Sequence, residues 1–138
     1  WEWQHYQNKK ISAAAGLRLR PRDAAKIGQL VLAHGAWSGK QIVSAEWIVQ
    51  ATTPRLQAMG LFFYGYQWWF GRTLVDGRDV KWVSAMGRGG QRLFIVPEFD
   101  LVVMTTSGLY TSPRQGLAAL DALYSFILPA VQDQTKSR

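Results

Sequence analysis

The chain of 138 residues has the size of one ordinary domain, enough to bury one core and too little for two. Hydrophobic residues at 48% against charged residues at 18% exclude wholesale disorder. A net charge of +7, from sixteen Lys and Arg against nine Asp and Glu, suits polyanions, anionic surfaces or carboxylate-bearing substrates without choosing among them.

Residues 1–20 mix aromatic, polar and small side chains without a clear period, and read as an irregular lead-in with a short turn or strand. It ends in Ser12-Ala13-Ala14-Ala15-Gly16 and Leu17-Arg18-Leu19-Arg20. Pro21 suits the first position of a helix, and Asp23 meets the positive end of the helix dipole. Ala24, Ile27, Leu30 and Val31 recur at helical spacing and Gly35 supplies a stop, which predicts a helix over 21–34. After a turn at Trp37-Ser38-Gly39-Lys40, Ser44 is an N-cap for a second helix over 45–51, and Pro54 ends it.

From Tyr64 onward the pattern is of strands: 64–71, 80–86, 91–96 and 101–106. They are separated by Asp76-Gly77, Gly87-Arg88-Gly89-Gly90 and Pro97-Glu98-Phe99-Asp100, gaps short enough for antiparallel connections. A last helix begins at Leu117, runs through Leu120, Leu123, Tyr124 and Ile127, and closes near Pro129, leaving 131–138 as a frayed tail. The class predicted is α+β: an antiparallel meander with flanking helices. Leu93-Phe94-Ile95-Val96 and Leu101-Val102-Val103-Met104 are apolar at consecutive positions, so both faces of the sheet are covered. The early helices are too few for that task, which calls for a further partner on the sheet.

The absence of cysteine excludes disulfides, thiol nucleophiles and thiolate zinc, and leaves the compartment open. His5 and His34 lie far apart with no carboxylate at ligand spacing, so no metal site is expected. The apolar stretches fall well short of the roughly 20 residues that a helical membrane span needs. The first residue is Trp1 rather than Met, and no charged start with an apolar run follows, so the chain reads as an excised piece.

Three segments carry more information together than singly. They are Gly16-Leu17-Arg18-Leu19-Arg20-Pro21-Arg22-Asp23-Ala24-Ala25-Lys26-Ile27-Gly28, then Tyr64-Gly65-Tyr66-Gln67-Trp68-Trp69, then Gly87-Arg88-Gly89-Gly90-Gln91-Arg92-Leu93-Phe94-Ile95-Val96-Pro97. In order and spacing they resemble the C-terminal part of the serine β-lactamase-like hydrolases, the superfamily of class C β-lactamases, D-alanyl-D-alanine carboxypeptidases and related esterases. The resemblance runs from about Ala13 to about Leu128. It implies the C-terminal part of a β-lactamase/transpeptidase-like fold, with chain 1–138 a single partial domain.

Enzymes of this kind use a Ser-x-x-Lys nucleophile, a Tyr-x-Asn or Ser-x-Asn motif, and a Lys-Thr-Gly-type strand. The serine attacks a carbonyl, the lysine and tyrosine manage its proton, and backbone N–H groups receive the oxyanion. No serine in this chain has a lysine three residues on, so the nucleophile motif is absent. Tyr6-Gln7-Asn8 matches the second motif literally, yet it stands too close to the small-residue run; it is read as coincidence, with Tyr6 a packing residue.

Aligning on Pro97 puts the third motif at Ala85-Met86-Gly87. Ala85 replaces the basic residue, which weakens a β-lactamase reading. The residue after the glycine presents its N–H to the oxyanion in the resembled enzymes, and here that residue is Arg88. By itself Gly87-Arg88-Gly89-Gly90 is a plain hairpin turn with glycines at positive φ; the surrounding match reverses that preference. The resemblance thus implies catalytic roles for Gly87 and the Arg88 amide, and substrate contacts for Ala85, Met86, Gly89, Gly90 and Gln91. It requires no metal or organic cofactor.

Trp68 and Trp69 beside Tyr64 and Tyr66 invite a stacking role, but neighbours in a strand point to opposite faces, so core packing is preferred. Arg18, Arg20 and Arg22 read as a solvated or salt-bridged face rather than a phosphate stripe, and His34 interacts with a helix end. The function expected is the C-terminal segment of a serine hydrolase acting on an ester, amide or peptide through an acyl-serine, inactive without Ser-x-x-Lys. Its partner is then a portion carrying that motif, or a second copy covering the open sheet face; no specific nucleic acid and no membrane span are expected. A non-catalytic binding module for polysaccharide, nucleic acid or protein is the alternative, and a degenerate hydrolase a third. The resemblance suggests a bacterial, periplasmic or secreted setting, with a cytoplasmic one still open.

Overall fold

The computed structural model describes residues 1–12 and 15–136, the last four of these by backbone alone. Ala13 and Ala14 of the small-residue run, and Ser137 and Arg138 of the expected tail, lie outside the described residues. The lead-in is more regular than expected, because β1 (Glu2–Trp3) pairs antiparallel with β2 (Leu17–Arg18), and the Trp3 indole N–H donates to the Ser12 carbonyl at 3.0 Å.

Helix α1 (Pro21–Leu32) starts at the proline as expected. It ends two residues before His34, because His34 and Gly35 take φ of 50° and 86° and the Gly35 amide closes onto the Leu30 carbonyl at 2.8 Å. A small hairpin of β3 (Ala36–Trp37) and β4 (Lys40–Gln41) surrounds the Ser38-Gly39 turn. Helix α2 (Ala45–Ala51) is capped by Ser44, whose hydroxyl accepts from the Trp47 amide at 3.2 Å.

The main sheet has six strands: β5 (Leu56–Gln57), β6 (Phe63–Gly65), β7 (Trp68–Val75), β8 (Arg78–Gly87), β9 (Gln91–Val96) and β10 (Leu101–Thr105), in sequential order. Every pairing is antiparallel, so the architecture is the α+β meander expected. The stretch 64–71 is not one strand. Tyr66 and Gln67 adopt φ of 46° and 69° and turn the chain, a conformation that a two-residue hairpin demands even of non-glycine residues. Tyr66 is held there by the Trp47 ring, with centroids 5.5 Å apart, and by the Arg55 guanidinium 4.6 Å from its centroid.

The expected stop at Pro129 and the frayed tail from residue 131 are both corrected. Helix α3 (Ala118–Ala122) passes through a π turn (Leu123–Ile127) into α4 (Leu128–Lys136). The Leu128 amide bonds the Leu123 carbonyl five residues back. That wider turn lets the chain pass a proline, which lacks the N–H and crowds the carbonyl four residues earlier. Gln132 is buried beyond it.

The C-terminal helix covers one face of the sheet, where Leu120, Leu123 and Leu128 pack with Val80, Trp82, Phe94 and Val96. Helix α1 lies on the other face across β9 and β10; buried Gly28 allows this approach, since a Cβ there would meet Val102 at 2.6 Å. Coverage of both faces therefore holds at β9, whose residues Arg92–Val96 are all buried. It fails toward β5 and β6, where Leu56, Leu61 and Phe63 are exposed.

Gly71 lies under the Trp82 indole, where a Cβ would come within 2.1 Å of the ring. Gly71→Ala should therefore lower stability by about 1–3 kcal/mol through overpacking, measured by urea unfolding. The same indole's Nε1–H donates to the Tyr124 hydroxyl at 3.0 Å. Burial raises the Tyr124 pKa above the ordinary tyrosine value and the Trp82 bond opposes the rise. The folded state thus holds the phenolic proton more tightly than the unfolded, so this contribution is intact below about pH 10 and lost as pH rises through the folded pKa. Unfolding free energy should fall with pH in that alkaline range, and less steeply in Tyr124→Phe.

Candidate functional site

Strand β8 delivers Ala85, Met86 and Gly87 into a three-residue turn, and β9 leaves it at Gln91. Ala85 pairs with Leu93, Met86 with Arg92, and Gly87 with Gln91. Gly87 and Arg88 are exposed at the rim, whereas Gly89 and Gly90 are buried at φ of 83° and 97°. These two glycines are required by space as well as by φ. A Cβ at Gly89 would enter the Tyr110 ring at 2.5 Å, and one at Gly90 would meet the Gln115 carbonyl at 2.9 Å. The Met86 side chain packs against the core beneath the C-terminal helix.

The turn is clamped by the segment that follows β10. The Gln115 side-chain oxygen accepts the Gly89 N–H at 2.8 Å, and the Gly89 carbonyl accepts the Leu109 amide at 3.1 Å. The Gln91 amide group grips both sides of Ser107, donating to its carbonyl and accepting its N–H at 3.3 Å. Gln91 is therefore committed to the frame of the turn.

From the inner side, Arg92 donates through one guanidinium nitrogen to the carbonyls of Gly87 and Gln91, each at 2.8 Å. Arg92 is 7% exposed, and burial draws its pKa below the ordinary arginine value. Among the described residues it has no salt-bridge partner, and its Nε finds no acceptor. The Arg88 amide likewise has no acceptor among the described residues. It is an unspent donor on an exposed, rigidly buttressed turn.

Of the seven sequence-derived positions, Gly87 to Gln91 form the turn and its closing pair, Ala85 lies back in β8 opposite Leu93, and the Met86 side chain packs into the core. The residues that frame it, Arg92, Ser107, Tyr110 and Gln115, were not anticipated. One signal existed: Arg92 is the single cation in an otherwise apolar strand, Arg92-Leu93-Phe94-Ile95-Val96. Tyr6, expected to pack, is 56% exposed in a turn where the Asn8 side chain accepts the Lys10 amide at 3.1 Å. Arg18 pairs with Glu2 at 3.3 Å on the surface, and Arg20 and Arg22 are exposed.

No three His, Asp or Glu side chains converge among the described residues, and no described helix is long and apolar enough to cross a membrane. A groove of about 520 Å³ lies elsewhere, lined by residues including Leu61, Phe63, Phe70 and Pro97, and shares none with the turn. It marks the part of the sheet that the helices leave uncovered. Volume and donor geometry thus point to different places, and the donor geometry bears on acyl chemistry.

The chain matches no protein-family model and no curated protein. Among solved structures it is similar to a protein described as a 6-aminohexanoate-dimer hydrolase from Bacillus anthracis, at 25% identity and a TM-score of 0.73, over 95% of this chain. In fold, the chain is a β-lactamase-like C-terminal portion. It spans 34% of the length of that solved structure. The resemblance drawn from the three sequence segments and the likeness of the folded chain agree on a β-lactamase-like fold.

The clamp predicts a local effect. Gln91→Ala should cost about 1 kcal/mol, because the half-buried Ser107 backbone groups lose their partner. Hydrogen exchange should accelerate at Ser107 and Gly89 while Phe94 and Ile95 in the strand interior keep their protection.

Proposed function

We propose that this chain is the C-terminal segment of a serine hydrolase that cleaves an ester or amide through an acyl-serine intermediate, contributing the third-motif strand and one wall of the oxyanion site. The reactive serine and lysine would come from a portion carrying Ser-x-x-Lys, which this sequence lacks, so the chain alone is inactive. The observation that carries the reading is the Arg88 amide: an N–H without an acceptor among the described residues, at the position that follows Gly87 in the motif, on a turn fixed from behind. A preorganised donor of this kind stabilises a tetrahedral oxyanion by roughly 3 kcal/mol without reorganising during the reaction.

The proton of the attacking serine and its return to the leaving group would be managed by the lysine and tyrosine of the other portion. The role of this chain is electrostatic and positional. Ala85 places no cation beside the site, which disfavours substrates recognised through a carboxylate at that position and favours short esters or amides. The solved neighbour is described as acting on a 6-aminohexanoate dimer, a linear amide, and such a compound is the amide substrate to try first.

The test combines the chain with a separately produced portion carrying Ser-x-x-Lys and measures hydrolysis of a chromogenic short-chain ester and of a linear amide. Neither part should act alone, and the assembled pair should turn over. Arg88→Pro, which deletes the N–H itself, should lower kcat by about 10²–10³-fold, far more than Arg88→Ala. A well-assembled complex that stays silent on both substrates would contradict the reading.

A further inference from the structure

A buried guanidinium with no carboxylate beside it among the described residues needs a reason, since an unpaired internal charge is costly. Arg92 spends one nitrogen on two backbone carbonyls of the same turn, while its Nε and the hydroxyl of Thr105, its cross-strand partner, are both buried without partners. The site is thus poor as a polar network and specific as a grip on the backbone. The carbonyl it holds at Gly87 belongs to the same peptide group as the Arg88 N–H. In a planar trans peptide the C=O and N–H point in opposite directions, so anchoring one aims the other. A charged donor on the carbonyl also withdraws electron density from the peptide, which strengthens the N–H as a hydrogen-bond donor.

We infer that Arg92 is a positioning residue for the reaction proposed above: its guanidinium, 2.8 Å from the Gly87 carbonyl, locks and polarises the Gly87–Arg88 peptide so that the Arg88 N–H faces outward as an oxyanion donor. This rests on the oxyanion reading of Arg88. The next residue, Gly89, is held at both its N–H and its carbonyl, by Gln115 and Leu109, so the Gly87–Arg88 peptide is followed by a second fixed point and has little freedom to rotate. Arg92 would touch neither substrate nor serine.

Two measurements separate this inference from the reading beneath it. The first uses the chain alone, labelled with ¹⁵N: the backbone order parameter of the Arg88 amide should be near 0.85 and fall below about 0.6 in Arg92→Met, with Leu93 and Phe94 unchanged. Arg92→Lys, which keeps the charge and serves as the milder variant should Arg92→Met not fold, should lie between them. The second uses the assembled complex: Arg92→Met should lower kcat by about 10²-fold with KM changed less than about threefold, and Arg92→Lys should restore part of the loss.

An Arg88 amide equally ordered and identically oriented in the variants, with residual dipolar couplings unchanged, would overturn the inference whatever the activity. So would a kinetic loss that appears in KM or simply follows the unfolded fraction. A disordered Arg88 amide in the variants together with a silent wild-type complex would instead overturn the oxyanion reading.

Discussion

Strand β9 is the element on which the rest depends, because its residues Arg92–Val96 are buried on both faces. Phe94 and Val96 face Leu120, Leu123 and Leu128 of the C-terminal helix, while α1 crosses β9 and β10 on the opposite side. A strand covered on both faces cannot slip by one residue without exposing one apolar set and burying another, so its register is strongly specified. That register fixes Gly87 opposite Gln91 and hence the length and shape of the turn between them. The turn inherits its precision from the core.

The charge at the start of β9 extends the same constraint into chemistry. Arg92 sits at the point where the covered strand meets the exposed turn, with its stem in the core and its guanidinium on two carbonyls of the turn. Gln91, also in β9, and Gln115, after β10, perform the complementary task by tying the turn to the segment after β10. Between them the turn is held by side chains from two stretches of sequence, while the Arg88 amide stays without an acceptor among the described residues. An exposed N–H on a turn fixed in this way is free to meet a group brought in from outside, which is the feature the proposed function uses.

Much of the fold was legible because it follows from local chemistry. Pro21 with Asp23, the Ser44 cap, and the consecutive apolar runs of β9 and β10 each point to one structure, and each is found. The failures have tertiary causes. Tyr66 and Gln67 bear no turn signature, and their positive φ is stabilised by Trp47 and Arg55, which sequence distance hides. Pro129 should stop a helix; a π turn lets the chain continue, and nothing in the sequence announces that turn. At the site, the glycines and their spacing identified the turn, but its supports, Arg92, Ser107, Tyr110 and Gln115, are visible only once β9 and the segment after β10 are placed side by side.

Leu56, Leu61 and Phe63 are exposed at the edge of the sheet, and the chain spans 34% of the solved neighbour. The central claim is geometric and is tested most directly by a crystal structure of this chain assembled with a Ser-x-x-Lys portion whose serine carries a phosphonate or boronate mimic of the tetrahedral intermediate. The account predicts the mimic's oxyanion about 2.7–3.1 Å from the Arg88 nitrogen, with the Arg92 guanidinium still on the Gly87 carbonyl. An oxyanion held by other donors, with the Arg88 amide turned to solvent or bonded elsewhere, would contradict it.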